Sequence, residues 1–404
     1  MSARTYDVII IGGGAAGFFA AINLAEARPE LRIAILERGK ETLQKVKISG
    51  GGRCNVTHAC WDPKELVEFY ARGSKELLGP FNKFCTGDTV DWFEQHGIEL
   101  KIEDDGRMFP ASNSSQTIID CFESAVKVLG IDVIKSTNVI GLEKSGSQWQ
   151  VLSSKGVYNA DYVVVAPGSS KAVWRMFEKL GHKIVDPVPS LFTFNCKDTR
   201  LRNMAGSSVS NAQVEILDTK LQANGPLLVT HWGLSGPAIL RLSAWGARTL
   251  EKLNYKFKIR INFTGAGLEQ VAEVLKHVKA NSPKKQMGNL PQFEIPKRLW
   301  QQLLGNELAL LSYGSLSEHT IRWTVNRLCA AEFNINGKST FKDEFVTAGG
   351  VELSEVDFRT MESKMLESVY FAGEVLNIDA VTGGFNFQAA WTTAWLLAQA
   401  IAKK

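Results

Sequence analysis

The chain has 404 residues, of which 45% are hydrophobic and 22% charged, and its formal net charge is +4. This length allows two or three domains, and the composition is that of an ordinary globular protein. A whole-chain charge of +4 gives no support for nucleic-acid binding, which needs Lys and Arg clustered on one face. The six cysteines show no CxxC pair and no zinc-like spacing to histidine. We therefore predict no metal site and a reduced, cytoplasmic protein.

The N-terminal residues predict one βαβ unit. Tyr6–Ile11 is a β-branched run typical of a buried strand, and Leu31–Glu37 is a second run of the same kind. Between them, Ala15–Ala27 has the length of a helix and is followed by an Arg-Pro break. Glycines interrupt the apolar stretch, and no convincing cleavage site follows it. We therefore expect neither a signal peptide nor a membrane span.

The rest of the chain predicts mixed elements on either side of a stiff connector. Before the connector, the sequence predicts helices over Pro63–Leu78, Thr89–His96, Gln116–Leu129 and Lys171–Leu180, and strands over Asp132–Val139, Gln148–Leu152 and Tyr162–Val165. The connector is Asp186-Pro187-Val188-Pro189. After it come predicted strands at Leu191–Phe194, Gln213–Leu217, Leu227–Thr230 and Phe257–Phe263, helices at Leu268–Lys279, Pro296–Leu304 and Ser317–Ala331, an exposed loop at Asn281–Pro291, a strand at Val369–Ala372 and a helix at Phe385–Ala402.

A GxGxxG motif, Gly12 to Gly17, joins the first predicted strand to the first predicted helix. Gly12 permits the tight turn, Gly14 lets the backbone approach a pyrophosphate, and Gly17 lets helix and strand pack closely. The helix N-terminus supplies free N–H donors for an anion. Glu37, at the end of the second strand, stands where a ribose-binding carboxylate is expected. In this context the motif predicts a dinucleotide-binding site rather than a glycine-rich turn.

Three further segments favour a flavin as the dinucleotide. In Ser49–Asn55 (SGGGRCN), small residues allow the backbone to pass close to a planar ligand, with Arg53 suited to a phosphate and Asn55 to a ring edge. The alternative for this segment is a flexible surface loop. Val163–Gly168 is a second segment, a buried strand that ends in a tight turn, which is a weak indication by itself.

The third segment begins with Val369–Glu374, a strand that ends in a carboxylate suited to a ribityl chain. Gly383–Gln388 then opens the last helix. Its N–H groups are predicted to face the pyrimidine edge of a flavin, where they would stabilise the charge of the reduced ring. The alternative is an ordinary docking helix, in which Trp391 and Trp395 serve as core packing.

Five segments resemble one known family, in that family's order: IIIGGGAAG (9–17), KISGGGRCNVT (47–57), THWGLSGPAIL (230–240), TAGGVELSEVDFRTMESKM (347–365) and YFAGEVLNIDAVTGGFNFQAA (370–390). The chain is similar to the FAD-dependent oxidoreductases known as aminoacetone-oxidase-like or bile-acid-dehydroxylation flavin-reductase-like proteins. The resemblance implies an α/β fold, a Rossmann-like FAD-binding domain assembled from both chain ends (1–188 and 344–404). It also implies an insert (189–343) made of a small β-barrel-like unit (189–264 and 320–343) and a helical bundle (265–319).

FAD is therefore the predicted cofactor. Its predicted contacts are Gly12, Gly14, Ala15, Ala16, Gly17, Glu37, Arg38, Lys47, Ser49, Gly51, Gly52, Arg53, Cys54, Asn55, Ala166, Gly168, Gly373, Glu374, Asp379, Gly384, Phe385, Asn386 and Phe387. The chain departs from the family at Ala166–Ser170 (APGSS), which runs almost directly into a helix where relatives often have Ala-Thr-Gly-Gly and a long loop. That departure argues against a substrate or nicotinamide contact made by such a loop.

His231, in the THWGLSGP segment, is the predicted proton-transfer residue, and the alternative of equal weight is a hydrogen-bonded histidine in a structural loop. His58 is a weaker candidate. Surface positions are expected for the other histidines, His96, His182, His277 and His319. Cys54 and Cys60 do not have the spacing of a redox pair, so a packing role is expected for Cys54.

These inferences predict an FAD-dependent oxidoreductase that acts on a small organic substrate by hydride transfer through flavin N5, with NAD(P)H as a candidate transient reductant. A second GxGxxG is lacking, which argues against a separate NAD(P)H domain. Three alternatives stay open: an oxidase that uses oxygen, a flavin-dependent RNA-modifying enzyme, and a non-enzymatic flavin-binding protein. Neither a nucleic-acid nor a membrane partner is expected, and the sequence does not define the oligomeric state.

Overall fold

The structure is a computed structural model that describes residues 4–339 and 346–404. The chain divides into two compact units. The first, here called the flavin unit, is built from both ends of the chain, Met1–Val188 and Lys342–Lys404, and the second, here called the inserted unit, is Pro189–Phe341.

The helices and strands follow in chain order. The first part of the chain forms β1 Arg4–Ile11, α1 Ala15–Ala27, β2 Ile33–Leu36, α2 Gln44–Gly52, β3 Thr57–His58, α3 Pro63–Leu66, β4 Tyr70–Arg72, α4 Ser74–Phe81, α5 Thr86–Gln95, β5 Leu100–Ile102, β6 Arg107–Pro110, α6 Ser115–Val128, β7 Asp132–Ile134, β8 Val139–Ser145, β9 Gln148–Ser153, β10 Gly156–Val165, α7 Lys171–Lys179 and β11 Ile184–Ser190. The middle part forms β12 Thr193–Asn195, β13 Ser208–Ile216, β14 Gln222–Val229, β15 Gly233–Ser235, α8 Pro237–Trp245, α9 Ala247–Lys252, β16 Lys256–Asn262, α10 Leu268–Asn281, α11 Lys297–Ala309, α12 Glu318–Cys329, β17 Ala331–Asn336 and β18 Lys338–Ser339. The last part forms β19 Val346–Val351, β20 Val356–Asp357, β21 Glu362–Ser363, β22 Val369–Phe371, β23 Asp379–Ala380 and α13 Phe385–Ala402. Among the described helices, none is long and apolar enough to cross a bilayer.

Strand β10 organises the main sheet of the flavin unit. It pairs in parallel with β1 on one side and, through Val163–Val165, with β22 on the other. β2 and β7 continue the parallel order beyond β1, while β8 and β9 fold back on the first half of β10. The parallel order β22-β10-β1-β2-β7, with strands from both ends of the chain, confirms the predicted Rossmann-like α/β fold.

Helices α1 and α13 form the centre of the flavin unit's core. Residues 16–25 of α1 are all buried, as expected for a helix that is apolar on every side. On α13, Trp391 packs on Phe19 with ring centroids 5.1 Å apart, and its Nε1 donates to the Val56 carbonyl at 2.9 Å. The predicted packing role of Trp391 is confirmed, because the side chain is fully buried.

The inserted unit has one seven-stranded sheet, in the order β17-β16-β13-β14-β15-β12-β18. Its two end strands, β17 and β18, are consecutive in the chain, and Asn195 donates to the Gly337 carbonyl between them at 3.0 Å, so the sheet curls back on itself. Helices α10, α11 and α12 enclose a second core around Trp300 and Tyr313. The helical part of this unit extends to Cys329, beyond the predicted limit at residue 319.

The helix predicted over Pro63–Leu78 is wrong. The segment forms the short helix α3, then strand β4, and Gly73 with a φ of 85° starts α4. Pairing decides the outcome, because β4 lies against β23 with Arg72 opposite Asp379. A partner so distant in the chain overrides local helix propensity, which is a weak preference.

Two surface predictions are also wrong. Within the predicted loop Asn281–Pro291, Met287 is buried and its carbonyl accepts the Trp300 Nε1–H at 2.7 Å. His182 is buried too, since Nδ1 lies 2.8 Å from a Glu355 carboxylate oxygen and Nε2 lies 2.9 Å from the Ser363 hydroxyl. The partners of the Met287 carbonyl and of both His182 ring nitrogens satisfy polar atoms that would otherwise need water.

The left-handed backbone at Gly73 gives a stability prediction. A Cβ at Gly73 would lie 2.7 Å from the Ile378 Cγ1 atom, so Gly73→Ala is expected to lower the free energy of unfolding by about 1–3 kcal/mol. Gly87, in the first turn of α5, has no atom within 4 Å of its Cβ position. Gly87→Ala is expected to leave stability unchanged or raise it by up to about 1 kcal/mol. Thermal unfolding of the two variants and the wild type checks both; equal midpoints for the two variants would contradict the prediction.

Candidate functional site

The candidate site lies where the parallel strands of the flavin unit end. Backbone hydrogen bonds continue past the last strand residues: Gly12 N–H donates to Leu36, Ala166 N–H to Ile11 and Ala372 N–H to Val165, at 2.9, 2.9 and 3.1 Å. The segments after β1, β10 and β22 therefore begin at the same edge of the sheet. Ligands of open parallel sheets bind at this carboxyl-terminal edge.

The glycines of the first turn have two different roles. A Cβ at Gly12 would lie 2.6 Å from the Pro167 Cα, and one at Gly17 would overlap the Gly12 carbonyl, so both are required for protein packing. At Gly14, by contrast, no atom lies within 4 Å of the Cβ position. Gly14 is the N-cap of α1 and provides no side chain to cap it, so the helix presents free N–H groups to this open space. Of the two alanines that follow, Ala15 is half-buried and Ala16 is buried.

Glu37 lies beside this turn at the end of β2. Its carboxylate accepts the Gly13 N–H at 2.8 Å and the Gly39 N–H at 2.5 Å, which fixes it next to the glycine-rich turn. A carboxylate at this place in a Rossmann-like fold can accept hydrogen bonds from ribose hydroxyls. Arg38, the next residue, is exposed.

The SGGGRCN segment forms the irregular end of α2. Gly50 and Gly51 have φ values of 56° and 68°, and neither Gly51 nor Gly52 has an atom within 4 Å of its Cβ position. The segment thus presents bare backbone to open space, as a planar ligand would require. Before the glycines, the Ser49 hydroxyl donates to the Val46 carbonyl, and the carbonyl of the exposed Lys47 accepts a hydrogen bond from the Ser115 hydroxyl.

Arg53, Cys54 and Asn55 are held by the protein itself. The Arg53 guanidinium pairs with Glu103 at 2.5 Å and stacks 3.9 Å from the centre of the Phe109 ring. Cys54 is buried with a φ of 61°, and burial raises the pKa of its thiol to about 12. The Asn55 side chain is oriented so that its oxygen accepts the Gly384 N–H at 3.0 Å and its amide nitrogen donates to the Thr57 carbonyl at 3.0 Å.

The segment after β22 brings two carboxylates to the site. Glu374 is ion-paired with Lys45 of α2, and its Oε2 atom lies 3.7 Å from the Cβ position of Gly168. Asp379 is different, because its side chain is fully buried and ion-paired with Arg72. Gly373 has a φ of 72° and donates its N–H to the Thr393 hydroxyl at 3.0 Å.

The N-terminus of α13 packs directly on the residues after Asn55. A Cβ at Gly384 would lie 2.7 Å from the Thr57 Cα, so this position requires glycine. Asn386 exchanges hydrogen bonds with the backbone of Ala380 at 3.0 and 3.1 Å. The buried ring of Phe385 packs on Phe69 with centroids 4.2 Å apart, and the half-buried ring of Phe387 packs on Trp391 at 5.4 Å.

Of the two candidate histidines, only His58 belongs to the flavin unit. Its ring stacks on Phe385 at 4.6 Å, and Nε2 lies 3.1 Å from the Asp105 carbonyl oxygen and so carries the hydrogen. Nδ1 then presents a lone pair, and among the described residues it has no hydrogen-bond partner. Burial lowers the pKa of His58 below its ordinary value. His231 is exposed and belongs to the inserted unit.

Sequence reasoning missed a buried polar network that supports α13. Gln388 accepts the Thr57 hydroxyl at 2.6 Å and the Thr89 hydroxyl at 3.0 Å, and donates to Thr392 at 3.1 Å. Tyr70 adds a hydrogen bond to the Phe385 carbonyl. The polar residues within the apolar α13 sequence were the available indication, because buried polar groups need partners.

The site residues fit an FAD molecule. Bare backbone faces open space at Gly14, and also at Gly51 and Gly52 of the SGGGRCN segment, so no protein atom occupies the room that a ligand would need at these positions. The free N–H groups of α1 suit a pyrophosphate, and the Glu37 carboxylate suits ribose hydroxyls.

Comparison with known proteins agrees with this geometry. The family described as "HI0933-like protein Rossmann domain" matches residues 6–400. The chain is 27% identical to "Ribosomal RNA dihydrouridine synthase" of Escherichia coli (strain K12), covering 98% of this chain and 97% of the relative. It is 25% identical to "3-dehydro-bile acid delta(4,6)-reductase" of Clostridium scindens, covering 98% of both chains.

Among solved structures, 3-ketosteroid-delta4-(5alpha)-dehydrogenase from Rhodococcus jostii shares the fold with a TM-score of 0.51 and 12% identity, covering 99% of this chain and 97% of that one. The resemblance to flavin-dependent oxidoreductases inferred from the sequence motifs is confirmed. The chain belongs to the HI0933-like Rossmann-domain family of flavoprotein oxidoreductases.

Proposed function

We propose that the protein is an FAD-dependent reductase that saturates a carbon–carbon double bond conjugated to a carbonyl group. The observation that carries the proposal is the glycine-rich turn at Gly14, where the N-terminus of α1 faces open space and the Glu37 carboxylate accepts the neighbouring Gly13 N–H. The names of two full-length relatives supply the reaction class. Dihydrouridine is uridine with its C5=C6 bond saturated, next to the C4 carbonyl, and a delta(4,6)-reductase acts on the same kind of conjugated bond.

The proposed binding roles follow the positions of the site residues. The N-terminus of α1 would hold the pyrophosphate and Glu37 the ribose, while Gly51 and Gly52 leave room for a planar ring. Bound FAD supplies the hydride chemistry. We propose NAD(P)H as the reductant, since a flavin-reducing partner is needed for each turnover; an oxidase reduced by its substrate is the competing outcome.

Saturation of a conjugated bond adds a hydride to the β carbon and a proton to the α carbon. His58 is neutral near pH 7 because burial lowers its pKa, and its free Nδ1 can accept a proton or hydrogen bond rather than supply one. We therefore keep His231 as the proposed proton donor. His58 is proposed to orient a donor group of the bound ligand.

Gly14→Val tests the cofactor site. The backbone at Gly14, with φ −95° and ψ −169°, is an extended conformation that valine adopts readily, and no protein atom lies within 4 Å of its Cβ position. We expect the apoprotein to stay folded with a slightly lower thermal midpoint, because valine is a poorer N-cap residue than glycine. Its FAD affinity is expected to fall by about 10-fold or more, because the side chain fills the ligand's space. FAD titration by fluorescence quenching measures this, and Gly87→Ala is the control. Unchanged FAD affinity would show that FAD does not occupy the space over Gly14.

The reaction class is tested with FAD-loaded protein reduced photochemically without oxygen. We expect the flavin absorbance to return when ribosomal RNA containing uridine, or a 3-keto-Δ4 steroid, is added, and the substrate to gain two hydrogens by mass spectrometry. Separate addition of NADH and NADPH to the oxidised protein identifies the reductant. If only oxygen reoxidises the flavin, the reductase proposal fails and the oxidase takes its place.

Cys54 is expected to be chemically inert. Because the pKa of its thiol is raised to about 12, the neutral thiol dominates near pH 7 and the reactive thiolate forms only as the pH rises towards that value. All six cysteines are buried, so iodoacetamide should modify none of them in the folded protein near neutral pH and all of them after unfolding. Peptide mass spectrometry distinguishes the sites. Rapid modification of Cys54 in the folded protein would reopen a redox role for the thiol.

A further inference from the structure

The charge of the chain is unevenly divided between its two units. The inserted unit has 19 Lys and Arg against 10 Asp and Glu, a formal charge of +9, whereas the flavin unit has 27 against 32, a charge of −5. The whole-chain value of +4 hides this division. A strongly basic unit raises the local concentration of polyanions and speeds their association.

Two loops of the inserted unit, 196–207 and 230–232, are joined along their backbones. Cys196 N–H donates to the Trp232 carbonyl at 3.0 Å, and two further bonds link Val229 to Gly206 and Ser207 at 2.9 Å each. Helix α11 adds to the same area, because Arg298 donates to the Asn203 carbonyl at 2.8 Å. Side chains from these three segments therefore share one surface.

Trp232 is presented to solvent at the tip of a rigid turn. Thr230 N–H donates to the Gly233 carbonyl at 2.8 Å, and the Thr230 hydroxyl accepts the N–H groups of Trp232 and Gly233 at 3.3 and 3.2 Å. Despite this fixed backbone, the Trp232 side chain is 62% exposed. The ring is therefore held clear of the protein core, where its face is available to stack on a planar group.

The same joined segments carry basic side chains that have no acidic partners. Lys197, Arg202 and Arg298 are exposed, and within residues 4–339 and 346–404 none of them forms an ion pair with a carboxylate. The nearby acid, Asp198, is neutralised by Arg200 at 2.8 Å, which lowers the pKa of the Asp198 carboxyl. The three cations are therefore free to meet an external anion.

We propose that Trp232, Lys197, Arg202 and Arg298, here called the Trp232 surface, bind single-stranded RNA. Arg and Lys would meet the phosphates, and Trp232 would stack on an unpaired base. An aromatic ring among unpaired cations is the combination that single-stranded nucleic acid requires, because every base has a stacking face and every linkage a charge. The inference rests on the proposed reduction only in the choice of uridine for the probe, and it departs from the sequence-based expectation of no nucleic-acid partner.

Binding is measured by fluorescence anisotropy with a fluorescein-labelled oligouridylate RNA of about 12 nucleotides, a length within the range of single-strand sites. The full-length, FAD-loaded protein is used without reductant. We expect the affinity for the RNA to fall steeply as the salt concentration rises. The Lys197→Glu/Arg202→Glu double variant is expected to reduce the magnitude of the slope of log association constant against log salt concentration by about 1.4. Trp232→Ala is expected to weaken binding by about 5-fold to 150-fold, and Trp232→Phe to restore most of it.

The control pair is Lys127→Glu/Lys179→Glu, two exposed lysines of the flavin unit, which should bind the RNA as the wild type does. Thermal midpoint and flavin content verify the fold of every variant. The inference is overturned if the wild type does not bind, if both charge-reversed pairs lose affinity equally, or if vesicles of phosphatidylglycerol compete as well as unlabelled RNA. RNA binding without uridine reduction would contradict the proposed reaction alone, whereas enone reduction without RNA binding would contradict this inference alone.

Discussion

The parallel pairing of β10 with β1 on one side and β22 on the other is the constraint on which the candidate site depends. It places strands from the two ends of the chain next to each other, so the turn after β1 and the segment after β22 start from one sheet edge. The insert lies between β10 and β22 in the chain, and this is tolerated because the entropic cost of closing a loop grows only slowly with its length. A register shift of β22 by one residue would turn its side chains to the opposite face and displace Gly373 and Glu374 together.

The glycines around this edge separate into those that the protein needs and those that leave space. Gly12, Gly17 and Gly384 touch backbone so closely that a Cβ could not be placed there. Gly14 and Gly51 touch nothing, although the same motifs contain them. The first group sets three close approaches: the turn after β1 to Ala166 and Pro167, α1 to that turn, and the start of α13 to Thr57 of β3. The second leaves bare backbone facing open space. The fold requires the first group, and the second leaves the space that a bound FAD would need.

Local patterns predicted the N-terminal βαβ unit well, including helix α1 from Ala15 to Ala27, because glycine, proline and apolar runs act over short distances. The failures share a different cause. Strand β4 depends on Asp379 opposite Arg72, His182 is buried by Glu355 and Ser363, and Met287 is buried against Trp300. Each of these partners lies in another segment of the chain, and a single sequence does not show which other segment will be adjacent. The FAD contacts and the role of His231 stay predictions for the same reason.

The division of charge shows how one chain can bind anions by two different means. The flavin unit has a net charge of −5, yet a pyrophosphate needs only a few directed N–H groups at a helix N-terminus, which act at short range whatever the surrounding field. A nucleic-acid backbone presents charges over a long distance and releases counterions as it binds, so it requires many cations on one surface. The proposed Trp232 surface would depend on this second kind of attraction, which the positive charge of the inserted unit favours. Its attraction is screened by salt beyond about 8 Å at physiological ionic strength, whereas the hydrogen bonds at α1 are not, so raising the salt concentration should separate the two kinds of anion binding in the same molecule.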